Sequence, residues 1–183
     1  MLTSLQAYQQ AEGVPLQVRK QLAQATLLAS APTLAHLVDQ LAVRVTLEWQ
    51  SRQPVVLIEN PTGLVLAGML LQRLAFPLQV ATFTRQDKQI EVQAKSGLDW
   101  RAVLVVAGKV TSELNGLVSA YPGIAEVTDV GSIGLLPDAA CTDSVLHPAH
   151  FEIDTTALAE MNLVGCGFAL AGYGANLPEL YSC

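Results

Sequence analysis

Two short stretches of this chain set hydroxyls, a cation and a glycine where an anion could be held. Lys109-Val110-Thr111-Ser112-Glu113 follows an apolar run and opens a helical pattern, and hydroxyls with free amides at a helix start attract anions. Lys109, Thr111 and Ser112 are therefore candidates for a phosphate cup, although Glu113 adds a carboxylate to the same first turn. Neither Thr111 nor Ser112 is basic near neutral pH. Asn60-Pro61-Thr62-Gly63 joins a strand pattern to a helix pattern at Leu64. Amides of Asn60, Thr62 and Gly63 could cradle an anion there, with Pro61 removing one donor. An ordinary strand-to-helix turn uses the same residue types.

Other chemistry-bearing types are less ordered. His147-Pro148-Ala149-His150-Phe151-Glu152, with Cys141 nearby, contains metal-ligand side chains, but the spacing fits no zinc signature and Pro148 keeps the two histidines off one helix face. A loop and no metal site are expected. Gly165-x-Gly167 and Gly172-x-Gly174 lack dinucleotide-loop spacing and precede no helix, which leaves tight packing and turns.

The elements that must carry these residues follow from periodicity. Val18, Leu22, Ala25 and Leu28 predict a helix over 15–29, which Ser30-Ala31-Pro32 interrupts. Leu34, Leu37, Val38, Leu41 and Val45 predict a second, from Thr33 to about Trp49. Residues 1–50 thus read as a helical amino-terminal part. From Pro54 the pattern changes. Val55-Val56-Leu57-Ile58 reads as a buried parallel strand, Leu64 to Leu74 as a helix covered on both sides, and Leu78 to Thr84 as the next strand, making a βαβ unit. The charged stretch Arg85 to Leu98 alternates at Ile90 and Val92 and reads as an exposed hairpin or flap. Ala102-Val103-Leu104-Val105-Val106 is the strongest buried strand, followed by a helix from Thr111 that Tyr121-Pro122-Gly123 closes. Ile124 to Leu136 supplies a strand or two, Pro137 to Pro148 a loop, and Leu163 to Ala171 the last strand. Alternating strands and helices argue for an α/β fold with a mostly parallel sheet covered on both faces. The 183 residues fit one domain, with the α/β core at 54–183.

Composition bounds the partners. The net charge of -6 and pI near 4.9, with no Lys/Arg cluster, disfavour nucleic acid. Cys141, Cys166 and Cys183 are odd in number, lack CxxC spacing and follow a polar amino terminus, which reads as free thiols in a reducing cytoplasm. Met161 to Pro178 is uncharged, but its four glycines, two asparagines and proline argue against a membrane helix. With 51% hydrophobic and only 14% charged residues, a homo-oligomer such as a dimer is the simplest place for the excess apolar surface.

The order of elements resembles the bacterial hypoxanthine-guanine phosphoribosyltransferases, of the type I phosphoribosyltransferase fold, from about residue 30 onward. Pro54 to Gly68 with Leu70 to Leu78 resembles the family's strand, pyrophosphate loop and first covering helix. Trp100 to Val106 resembles the strand into the phosphoribosyl-diphosphate loop. Leu163-Val164-Gly165-Cys166-Gly167-Phe168 with Asn176-Leu177-Pro178 resembles the carboxyl-terminal segment, and Arg85 to Leu98 sits where the family keeps its mobile hairpin.

The resemblance implies purine-salvage transfer of ribose 5-phosphate, with Mg²⁺ if the protein is active. It also locates departures. The family's two adjacent acids, which hold the ribose hydroxyls, are replaced by Ala107 and Gly108. Losing two charge-assisted hydrogen bonds of roughly 1.5–3 kcal/mol each weakens sugar binding by about two to four powers of ten. The family's purine-reading lysine falls near Leu135, its metal-binding aspartate near Ala169, its pyrophosphate arginine near Ala175 and its stacking aromatic near Asn162. The resemblance therefore implies a catalytically impaired or inactive homologue that binds a nucleotide or phosphate, regulates, or partners another chain. The alternative is an active transferase working through a non-standard site that uses Asp99, Glu113 or Asp129.

Overall fold

The computed structural model describes residues 4–94, 97–137, 145–146 and 162–183. Its centre is a six-stranded sheet in the order β4-β3-β2-β5-β6-β7. The strands are β2 (Val55–Glu59), β3 (Gln79–Gln86), β4 (Gln89–Gln93), β5 (Ala102–Val110), β6 (Asp129–Pro137) and β7 (Val145–Leu146). All neighbours are parallel except β3 and β4, which form an antiparallel hairpin. The apolar runs at 55–58 and 102–106 thus form the buried central pair, with Val55 opposite Val103 and Ile58 opposite Val106.

Strand alternation divides the core in two. Val56, Ile58, Leu104, Val106, Ile133 and Leu135 face α3 (Ala31–Trp49) and α4 (Leu64–Leu71). Val55, Leu57, Ala81, Phe83, Val103 and Val105 face α5 (Ser112–Ser119). Helices therefore cover both faces, as alternating strands and helices require. The Ser30 hydroxyl caps α3 by accepting from the Thr33 amide, and Pro32 fits the first turn, where no amide is needed. Ser30-Ala31-Pro32 is thus a helix start as well as an interruption.

The ends of the chain depart most from the sequence reading. The helix expected over 15–29 ends early, as α2 (Leu16–Ala23), and Thr26–Ala29 is a strand, β1. It pairs antiparallel with β9 (Leu180–Ser182), which also pairs with β8 (Leu163–Val164). Residues 1–50 are accordingly not helical throughout. Short helix α1 (Leu5–Gln10), capped by Ser4, precedes α2. Tyr8, Val14, Val18 and Leu22 pack against Val164, Leu170, Leu177 and Tyr181 in a third apolar cluster. The Tyr8 hydroxyl donates to Asn176 Oδ1 at 2.5 Å. A strand held by partners at the other end of the chain leaves no local period to read.

Smaller corrections follow the same logic. The helix at Leu64 stops at Leu71 rather than Leu74. One strand replaces the strand or two expected at Ile124 to Leu136, and Ile124 lies in the preceding turn. The last strand, expected over Leu163 to Ala171, is only Leu163–Val164, because Gly165, Cys166 and Gly167 take positive φ and turn the chain. Cys141, His147, His150 and most of the expected loop lie outside the described residues.

Leu22 has no exposed surface and joins α2 to the carboxyl-terminal segment. Leu22→Ala is expected to lower unfolding stability by about 2–5 kcal/mol, read as a lower urea midpoint at unchanged slope.

Candidate functional site

A cavity of about 470 Å³ opens at the carboxyl ends of β2, β3 and β5, lined by Glu59, Asn60, Pro61, Thr62, Thr84, Arg85, Lys109, Thr111 and Phe168. In parallel sheets this end is where ligands bind, because the loops leaving the strands converge there. The two stretches singled out above, around Asn60 and Lys109, are brought together on its walls.

The first wall is a tight turn. Val55 to Ile58 commit β2 to the core, and the chain leaves it through a cis Asn60–Pro61 peptide. The Asn60 amide donates to the Phe83 carbonyl and the Gly63 amide to the Glu59 carbonyl, both at 2.8 Å. Two of the three candidate cradle residues thus spend their amides inside the protein. Gly63 stands where it does because a side chain would strike the Val106 carbonyl oxygen and come within 2.9 Å of that of Glu59.

The second wall is more extended than the sequence implied. β5 continues beyond Val106 to Val110, with Lys109 opposite Leu136 and Val110 opposite Pro137. Helix α5 begins at Ser112, so a single residue, Thr111, separates strand from helix. Its hydroxyl accepts from the Leu114 amide at 3.1 Å and caps the helix. Lys109 and Thr111 line the cavity, whereas Ser112 and Glu113 are exposed in the first turn of α5.

Ala107 is wholly buried in the cluster on the α5 side. Gly108 faces the other way, beneath the Phe168 ring. A Cβ at 108 would lie 2.8 Å from both Phe168 Cζ and Thr62 Cβ. Phe168 is itself held by the turn at 165–168, where the Gly165 amide donates to the Phe168 carbonyl at 2.9 Å. Gly167, at φ +97°, passes so near the Thr62 carbonyl that a Cβ would sit 2.7 Å from it.

The floor carries charge that the sequence reading did not single out. Glu59 is only 6% exposed. One carboxylate oxygen accepts from Arg85 Nε at 2.5 Å and the other from the Thr62 hydroxyl at 2.5 Å. Arg85 also reaches the Lys109 carbonyl at 3.4 Å. A carboxylate this buried requires such partners, since desolvation otherwise outweighs its charge. The available signal was an acid closing an otherwise apolar strand, with an arginine at the end of the next one.

The remaining positions scatter. Leu135 is in the core on the α3 side, Ala169 and Asn162 are exposed, and Ala175 is half-buried. Asp129 pairs with Ala102, seven residues below the Lys109–Leu136 pair, which is roughly 20 Å or more along the strand. It is bonded to Arg52, and Asp99, near the same end, to Arg101, whose hydrogen bond holds the Asp99 carboxyl below the usual range. Both acids are therefore remote from the cavity. No group of three or more His, Cys, Asp and Glu side chains among the described residues is arranged to hold a metal ion. None of the described helices is long and apolar enough to cross a membrane.

Solved structures resemble this arrangement across most of the chain. A hypoxanthine-guanine phosphoribosyltransferase from Bacillus anthracis matches with a TM-score of 0.66 at 17% identity, over 85% of this chain and 96% of that one. The chain has the type I phosphoribosyltransferase fold. The Leishmania donovani hypoxanthine-guanine phosphoribosyltransferase matches at 12% identity and TM-score 0.66, over 87% and 99%. A Trypanosoma cruzi hypoxanthine phosphoribosyltransferase in complex with the product IMP matches at 14% and 0.65, over 85% and 88%. No protein-family profile matches the chain, and no curated protein sequence does. At such identities the likeness is one of fold.

Cys166, in the same core cluster as Phe168, is 1% exposed, and burial pushes its thiol up to about 11 from an ordinary 9.0. The unfolded thiol ionises first, so this contribution to stability is complete below pH 9 and fades as the pH rises toward 11. Iodoacetamide at pH 8 is expected to leave Cys166 unmodified in the folded protein and to label it in denaturant, as peptide mass spectrometry will show.

Proposed function

We propose that this protein is a non-catalytic relative of the purine phosphoribosyltransferases that binds a phosphate-bearing ligand, such as a nucleotide, in the cavity between Asn60 and Thr111. The observation that carries the reading is the Phe168 ring over Gly108. Where the family's resemblance puts an acid to hold the sugar, the backbone has no room even for a Cβ. An acid at 108 would require the Phe168 ring and Thr62 to shift, which supports the loss of that sugar contact. Ala107, the other position, is wholly buried.

The cavity nevertheless keeps features suited to an anion. Lys109 contributes positive charge, Arg85 a guanidinium paired with Glu59, and Thr84 and Thr111 hydroxyls, and Glu59 is the one carboxylate among the described residues lining it. General-base chemistry lacks a carrier among these residues. The distance of Asp99 and Asp129 from the cavity speaks against a relocated active site built on them. A role in binding or regulation, in the cytoplasm and as a homodimer, completes the reading; exposed Val43 and Leu47 on α3 offer apolar surface for a second copy.

Incubation with phosphoribosyl diphosphate, Mg²⁺ and each purine is expected to release no pyrophosphate above a protein-free control, while calorimetry with IMP gives measurable heat. Turnover that Thr111→Ala abolishes would overturn the reading. Gly108→Asp is expected to give no turnover and to cost about 1–3 kcal/mol or more through overpacking, measured by urea unfolding.

A further inference from the structure

The fold implies a divalent cation beside a bound diphosphate, and the residues present do not fit one. Glu59 is the only carboxylate among the described residues lining the cavity. Both of its oxygens are engaged, one by Arg85 Nε and the other by the Thr62 hydroxyl, each at 2.5 Å. Ala107, Gly108 and Ala169 offer no side-chain oxygen. A hard cation such as Mg²⁺ needs oxygen ligands arranged octahedrally and gives up its water reluctantly.

Arg85 brings a guanidinium to the same cavity. Arg85 extends from the end of β3, at the base of the β3–β4 hairpin, and lies between the Glu59 carboxylate from β2 and the Lys109 carbonyl from β5. It joins three strand ends with one fixed positive charge, and nearly a third of its side-chain surface remains open. A planar guanidinium has five donors, so bonding to Glu59 leaves others for a phosphate oxygen.

On the reading that the cavity holds a phosphate-bearing ligand, we infer that Arg85 supplies the phosphate-binding donors, and that the protein binds a phosphate or diphosphate group without a divalent metal. Glu59 keeps the guanidinium in place and Thr62 satisfies the second carboxylate oxygen. Glu59 balances the charge of Arg85, so the guanidinium acts through its remaining N–H donors, and occupancy depends on hairpin position rather than on Mg²⁺ concentration.

Calorimetric titration of the full chain with inorganic pyrophosphate and with IMP, each in EDTA and in excess Mg²⁺, tests this. The tighter of the two probes identifies the source of the phosphate, and its affinity is expected to be no weaker in EDTA. Arg85→Ala should bind it at least about tenfold more weakly in EDTA and regain affinity in Mg²⁺, because Glu59 is freed as a ligand. Arg85→Lys should retain metal-free binding in part. Should Arg85→Ala fail to fold, the double variant Arg85→Ala/Glu59→Gln removes the buried charge, and it should lose binding with no rescue by Mg²⁺. Wild-type binding that requires Mg²⁺ overturns the inference while leaving the ligand reading standing. Absence of heat with both probes in both conditions overturns the two together.

Discussion

Three distant segments meet at one point of this molecule, and each meets the next through a glycine. The turn after β2 touches β5 where Gly63 lies against the Val106 carbonyl. The end of β5 lies under Phe168 at Gly108, and the carboxyl-terminal turn crosses Thr62 at Gly167. Backbones this close exclude any side chain between them, so the architecture at the head of the sheet and the identity of these residues depend on one another. The cavity exists because the segments are drawn together there, and its apolar wall is Phe168 for the same reason.

Charge is arranged within that frame. The Glu59–Arg85 ion pair, with its carboxylate buried and its guanidinium open to solvent, adds little net stability, yet removing the arginine leaves a buried carboxylate without its cation, which is costly. Its value is positional. It holds the base of the β3–β4 hairpin to the neighbouring strand ends and places a guanidinium beside Lys109 and Thr111. A strand that would otherwise be only the base of an exposed flap thereby becomes part of the cavity floor.

The same proximity separates scaffold from chemistry. Parallel strands β2, β5 and β6 with helices on both faces reproduce the phosphoribosyltransferase fold at TM-scores near 0.66, although identity is only 12–17%. A sheet of Val, Leu and Ile tolerates many substitutions that keep volume and alternation. A sugar-binding carboxylate does not, because its role depends on one functional group at one place.

Val55 to Ile58 and Ala102 to Val106 were legible as buried strands because burial on both faces writes itself into consecutive residues. The α3 stripe from Leu34 to Val45 was equally legible, as were the absence of acids at 107 and 108 and the hydroxyls at Thr111 and Ser112. Hidden from that reading were β1, whose partner at Leu180–Ser182 lies at the other end of the chain, the Glu59–Arg85 pair, and the ring of Phe168 over Gly108. Local pattern reports how a residue relates to its own helix or strand. Which side chains share a cavity is settled by contacts across the sheet and between chain ends, and no period in the sequence records those.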